Sequence, residues 1–179
     1  IGGGRVGSPT KESGDNLGDF CEPRDRGVTD VEEVQRFGVV LEKLRAEGRE
    51  DDTVIIFFGD NGRLEPRGIH WCYDSGLRVP LIIAGPGVPA GRRTPALCYT
   101  FDVLPTLGKL CGVAAPKTSE GREFTAVLAD PARPARTELV FGYKRIQKAF
   151  SDGRWKLIRY PLVDRTQLFD LAADPHELN

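Results

Sequence analysis

The stretch Thr53-Val54-Ile55-Ile56-Phe57-Phe58-Gly59-Asp60-Asn61-Gly62 decides how this chain is read. Its first part is an unbroken β-branched and aromatic run with no polar side to turn towards water. Such a run predicts a strand buried on both faces, as in a parallel sheet covered by helices. It stops abruptly at Gly59-Asp60-Asn61-Gly62. In open α/β sheets, sites form beyond the carboxyl ends of strands, and a carboxylate beside an amide oxygen offers hard donors suited to Ca²⁺ or Mg²⁺. The same residues are also turn chemistry, because Asp, Asn and Gly tolerate tight or left-handed conformations. Two donors fall short of the roughly six to eight oxygens that Ca²⁺ takes. A metal site at Asp60 and Asn61 therefore needs carboxylates from elsewhere.

Working outward, Thr29-Asp30-Val31-Glu32 has the spacing of a capping box. Val31, Val34, Phe37, Leu41 and Leu44 then fall on one helical face, and Gly48 sits where a C-terminal cap belongs. On the other side, a second apolar run, Val79 to Ala84, closes in the turn Gly85-Pro86-Gly87. Asp102 is placed to cap a helix through Val103, Leu104, Leu107 and Leu110 that ends near Gly112. Helix, strand, strand, helix in short succession favours an α/β layered architecture. The tail differs. Glu138 to Gly142, Lys148 to Ser151, Trp155 to Tyr160 and Gln167 to Asp170 read as short strands separated by turn residues such as Asp152-Gly153, which is antiparallel patterning. The chain thus divides into a disordered lead-in at 1–27, the end of an α/β domain at 28–115, and a smaller antiparallel subdomain at 116–179.

Composition excludes several classes. Of 179 residues, 40% are apolar and 28% charged, which is ordinary for a globular domain. The formal net charge of −1 gives no bulk attraction to nucleic acid or to an anionic membrane. No window approaches the ~20 apolar residues of a membrane span. Cys21, Cys72, Cys98 and Cys111 form no C-x-x-C pair and are too dispersed for a disulfide scaffold; free or partly buried thiols are expected, with one disulfide left open. Ile1-Gly2-Gly3-Gly4 lacks the basic and apolar regions of a signal peptide. A start at Ile1 and an end at Asn179, just after an Asp-Pro turn, is what a partial sequence would have, so compartment and oligomeric state stay open.

Two further segments carry candidate chemistry. Arg67-Gly68-Ile69-His70-Trp71-Cys72-Tyr73-Asp74-Ser75-Gly76-Leu77-Arg78 lies between the two core strands, and loops held by a rigid scaffold often carry function. Arg67, His70 and Arg78 are suited to an anionic group. The plainer reading pairs Arg78 with Asp74 or a backbone end, and leaves His70 as an exposed polar residue. In Trp155 to Tyr160, alternating basic residues would line one strand face, for which a solvated face is the simpler expectation. Lys144, Arg145 and Lys148 add positive charge nearby, which suits an anionic substrate.

These blocks, in this order, resemble the sulfatase family. The run into Gly59-Asp60-Asn61-Gly62 is similar to the family's strand followed by Ser/Gly-Asp-Asn/His-Gly. Arg67 to Pro80 resembles its Arg-Gly-Lys-x-x-x-Tyr-Asp/Glu-x-Gly-x-Arg-Val-Pro stretch, and Asp102-Val103-Leu104-Pro105-Thr106 its Asp-Leu/Val-Leu-Pro-Thr helix. Gly121-Arg122-Glu123-Phe124, Arg154-Trp155-Lys156-Leu157-Ile158 and Gln167-Leu168-Phe169-Asp170-Leu171 resemble further family blocks, the last two those that close it. The likeness covers residues 29 to 179.

It implies part of an alkaline-phosphatase-like α/β/α sandwich followed by a small antiparallel C-terminal sheet. The implied activity is hydrolysis of sulfate esters or sulfamates, on a small-molecule or carbohydrate substrate, with one Ca²⁺. Asp60 and Asn61 match metal ligands; Arg67 and Arg78, read from their charge alone, are the candidate substrate-binding residues. The family's nucleophile is a formylglycine made within Cys/Ser-x-Pro-Ser-Arg. Cys21-Glu22-Pro23-Arg24-Asp25 departs from that motif at two of its positions, so these residues by themselves are expected to be inactive. The family's Lys of Arg-Gly-Lys is Ile69 here, and His70 is the candidate stand-in, since an imidazole can donate a hydrogen bond. The alternatives are a non-catalytic remnant with residual metal or anion binding, and a phosphate or phosphonate ester hydrolase of the same superfamily. His176 is expected to be part of a polar turn.

Overall fold

The computed structural model describes residues 31–64 and 66–179. The readings of 1–27 and of the Thr29–Glu32 cap, like the state of Cys21, lie outside the described residues and side chains. The first helix, α1, spans Val31–Ala46. Phe37, Gly38, Leu41 and Leu44 are half-buried, and the Phe37 ring packs 5.0 Å from that of Phe57. The helix ends in a Schellman motif: Gly48 takes φ 66°, its N–H donates to Arg45 O at 3.0 Å, and the Arg49 N–H reaches back to Leu44 O at 2.9 Å.

β1 is Ile55–Phe58 and β2 is Leu81–Ala84. They pair antiparallel, with Ile55 opposite Ala84 and Phe58 opposite Leu81. This corrects the expectation of a parallel, doubly buried strand: Ile55, Ile56 and Phe57 are only half-buried and Phe58 is exposed. An apolar run shows that both faces shun water but carries no information about strand direction. Direction is set here by the connection, which returns to the end it left, closed by a bond from Gly59 N–H to Pro80 O at 3.2 Å. Within that connection lies the one-turn helix α2, Asp74–Leu77.

After a 3-10 turn at Thr100–Asp102, α3 runs Val103–Leu110. Asp102 occupies the N-cap position, but its side chain makes no bond to the first turn of α3. It accepts instead from Tyr99 N–H at 2.8 Å, from Arg122 N–H at 2.8 Å, and from Arg136 Nε and Nη2 at 2.7 and 2.6 Å. Thr106 Oγ1 donates to Asp102 O and accepts from Phe124 N–H, fastening the 121–124 segment to α3. A short α4, Thr125–Ala129, follows.

The tail forms a four-stranded antiparallel meander, β3 (Leu139–Tyr143), β4 (Gln147–Ser151), β5 (Trp155–Tyr160) and β6 (Arg165–Asp170), in the order β3-β4-β5-β6. The Asp152-Gly153 turn forms as expected, with Asp152 Oδ1 accepting from Arg154 and Trp155 N–H. One face of the sheet carries Ala149, Ile158 and Phe169, and these pack with Cys72, Tyr73 and Leu77 from the β1–β2 connection. The opposite face presents a row of exposed apolar side chains, Val140, Phe150, Leu157 and Leu168, in cross-strand register. Cys72, Cys98 and Cys111 are free thiols. No described helix is long and apolar enough to cross a membrane.

Candidate active-site loop

The connection between β1 and β2 carries Asp60, Asn61, Arg67, His70 and Arg78. Asp60 and Asn61 leave the carboxyl end of β1 and are exposed; Asn61 Nδ2 donates to Gly62 O at 2.9 Å. The chain then folds tightly on itself. Arg63 N–H donates to Ser75 O at 2.9 Å and Ile69 N–H to Arg63 O at 2.7 Å. The backbones touch so closely that a Cβ added at Gly62 would lie 2.4 Å from Ser75 O, and one at Gly76 would lie 2.1 Å from Gly68 O. Only glycine fits at either point.

Arg67 and His70 hold left-handed backbone angles, φ 70° and 73°. The Arg67 guanidinium lies 3.8 Å over the Tyr73 ring and donates to Glu177 O. The His70 ring is exposed and stacks on Tyr143 at the end of β3, with centroids 5.0 Å apart and planes at 23°. Arg78 is exposed, and its backbone N–H caps α2 by donating to Asp74 O at 2.8 Å. Lys144, beside Tyr143, has its ammonium 5.3 Å from that ring. Among the described residues no hydrogen bond or ion pair joins Asp60 or Asn61 to Arg67, His70 or Arg78. What gathers these residues is the loop backbone.

A buried ion cluster lies beneath the loop. Lys156 was expected on a solvated face. Its side chain is 1% exposed, with Nζ against Asp74 Oδ1 and 3.0 Å from Glu177 Oε1. Arg159 lies on the other face of β5, paired with Asp164, so the two basic residues do not share a face. Glu177 also accepts from Asp74 N–H at 2.7 Å. Burial pushes the Glu177 carboxyl above the ordinary carboxylate range, against the pull of the Lys156 ammonium. Beside this cluster, Gln147 Oε1 accepts from Cys72 N–H at 2.8 Å. Tyr73 OH bonds Tyr160 OH at 2.8 Å and donates to Gln167 Oε1 at 2.7 Å; burial and the Tyr73 contact push the Tyr160 phenol up. The sequence signal that marked this place was Tyr73-Asp74 inside the loop motif.

The donors at Asp60 and Asn61 fit Ca²⁺ in kind, being exposed oxygens at a strand end. They do not fit it in number: among the described residues no group of three or more metal-ligating side chains gathers, and Ca²⁺ takes roughly six to eight oxygens.

Residues 67–179 match the family described as the C-terminal region of N-sulphoglucosamine sulphohydrolase. The chain belongs to the sulfatase family. A choline-sulfatase of Rhizobium meliloti is 32% identical over 155 residues, covering 80% of this sulfatase chain and 30% of that relative. The solved structure of a 2-O GAG sulfatase superposes with a TM-score of 0.65 at 25% identity, over 78% of this chain and 34% of that one. A phosphonate monoester hydrolase of Silicibacter pomeroyi shares the fold, with a TM-score of 0.65 at 24% identity over 79% of this chain and 35% of that one. The chain therefore spans about a third of the length of these relatives. The fold is the alkaline-phosphatase-like one of sulfatases, seen here in its C-terminal portion.

Proposed function

We propose that the full-length protein hydrolyses sulfate esters or sulfamates, on carbohydrate or small-molecule substrates. The observation that carries this is the match of residues 67–179 to a sulphohydrolase family, with Asp60 and Asn61 standing at the carboxyl end of β1 immediately before it. In this reading Asp60 and Asn61 give two oxygen ligands to a Ca²⁺ whose other ligands come from outside the described residues. Bound there, the cation would neutralise charge on the sulfate oxygens.

Arg78 and Arg67 supply fixed positive charge to orient the anionic group. His70 serves as hydrogen-bond donor in place of the cation that Ile69 cannot provide. Its contact with Tyr143 holds the ring at the rim of the loop. The carbohydrate class is supported by the family's own description, which names a sulphated glucosamine.

The test is turnover by the full-length protein, with its nucleophile matured, on paired aryl sulfate, aryl phosphate and phosphonate monoester substrates. Sulfate ester turnover exceeding the other two is expected. Preference for the phosphorus esters would overturn the reading. Ile69 favours a second reading, a non-catalytic protein of the same fold. That reading predicts no turnover on any of the three while Ca²⁺ still raises the melting temperature.

A further inference from the structure

We infer that Lys156 is a positioning residue, whose buried ammonium locks the β1–β2 connection and the Glu177 segment onto the C-terminal sheet and so fixes the Asp60–Asn61 turn. This rests on the reading of that loop as part of a sulfatase site. Three separate pieces of chain meet at one cation. Lys156 comes from β5, Asp74 from α2 and Glu177 from near the end of the chain, and the Lys156 and Glu177 side chains are 1% and 2% exposed. A buried charge is held only where it is paired, and here a single ammonium faces two carboxylates. Each carboxylate needs it to offset the other.

The path from the lock to the candidate ligands is short and made of backbone. Asp74 opens α2, and Glu177 accepts its N–H. One residue on, Ser75 O receives Arg63 N–H at 2.9 Å, and Ser75 Oγ donates to Arg67 O at 2.7 Å. Gly62 is pressed against Ser75 and Gly76 with no room for a Cβ. A shift of Asp74 must therefore carry Gly62, and with it the adjoining Asn61 and Asp60. Arg67 reports on the same lock from the other side, since its guanidinium bonds the Glu177 carbonyl. Cys72 N–H on Gln147 and Tyr73 OH on Tyr160 and Gln167 hold the neighbouring residues of the loop, so loss of the ion cluster frees the Asp74 end without unseating the whole connection.

The experiment compares full-length Asp74→Asn, Glu177→Gln and Lys156→Arg with Val127→Ala, a buried residue of α4 used as a control for plain destabilisation. Hydrogen exchange is read across residues 59–80, and kcat and KM are measured well below each melting transition. Asp74→Asn and Glu177→Gln are expected to speed exchange in that segment by about 10-fold, a local opening within an otherwise protected sheet. They are expected to lower kcat by on the order of 10–100-fold through misplacement of the reacting geometry. Lys156→Arg, which keeps the charge, should recover most of both. The inference is overturned if the loop amides stay protected in Asp74→Asn, or if Val127→Ala lowers kcat as much. Should the unaltered protein turn over no sulfate ester, the proposed activity fails by itself, and the exchange data still decide the lock.

Discussion

Replacing Arg136 by Met tests the energetics of the buried pair that organises α3. Asp102 and Arg136 have side chains 1% and 10% exposed, joined at 2.6 Å, so solvent screens them little. Burial alone would raise the Asp102 carboxyl; the Arg136 guanidinium, with the N–H groups of Arg122 and Tyr99, outweighs it and holds the group below the ordinary range. Removing the guanidinium strands a buried carboxylate on two backbone donors. The cost of such a stranded charge is about 3–5 kcal/mol.

The sign of the pH dependence follows from the lowered folded value. In the native protein this group's contribution is present above the unfolded carboxylate range near ~3.9 and is lost as pH falls through its lower folded value. In Arg136→Met the carboxyl rises and takes up a proton, so the deficit is largest at neutral pH and shrinks on acidification. Urea unfolding followed by Trp71 and Trp155 fluorescence, at neutral pH and near pH 4.5, measures both. A deficit below about 1 kcal/mol, the value of an exposed pair, or one that does not change with pH, would refute the reasoning.

Other expectations follow from single contacts. Gly76→Ala forces a Cβ to within 2.1 Å of Gly68 O; overpacking of that kind costs about 1–3 kcal/mol and should appear as faster hydrogen exchange across the β1–β2 connection. Tyr73→Phe removes the hydroxyl that bonds Tyr160 and Gln167, and a loss of about 1–3 kcal/mol in thermal or urea unfolding is expected from the polar groups left behind. Ile158, fully buried in the sheet core, should cost about 2–5 kcal/mol as Ala, read by the same unfolding curves. A thiol reagent should label exposed Cys111 in the folded protein and leave Cys72 untouched until unfolding, because Cys72 is buried and burial pushes its thiol up.

Local patterns carried much of the fold. The spacing of Phe37, Leu41 and Leu44 and the glycine at 48 fixed the visible face and end of α1, because both signals lie within a few residues of what they specify. The four tail strands were legible from their turn residues. The direction of β1 was not, since a run with no polar face has no register to read. Nor was the place of Lys156. The two faces of β5 carry Lys156, Ile158 and Tyr160 against Trp155, Leu157 and Arg159, each with one basic, one aliphatic and one aromatic residue, so alternation could not choose between them. Asp102 was placed correctly at the start of α3 and given the wrong partners, because Arg122 and Arg136 come from 20 and 34 residues further on. At the candidate site, the loop and its residues were readable as a motif. Its anchor was not, since Asp74 and Lys156 stand 82 residues apart.

The antiparallel pairing of β1 with β2 has a consequence for what can change in this molecule. Because Gly59 and Pro80 close the connection at its base, everything between them is a cassette clipped to one end of a strand pair. Asp60, Asn61 and Arg78 sit at the two feet of that cassette, close to the strand ends. His70 and Trp71 sit at its crown, exposed beside the β3–β4 turn. Substitutions at the crown can reshape its exposed surface without touching the bond that closes the base. Under the proposed reading, the oxygen ligands at the base and the hydrogen-bond donor at the crown are thus carried by different parts of one loop, free to diverge at different rates.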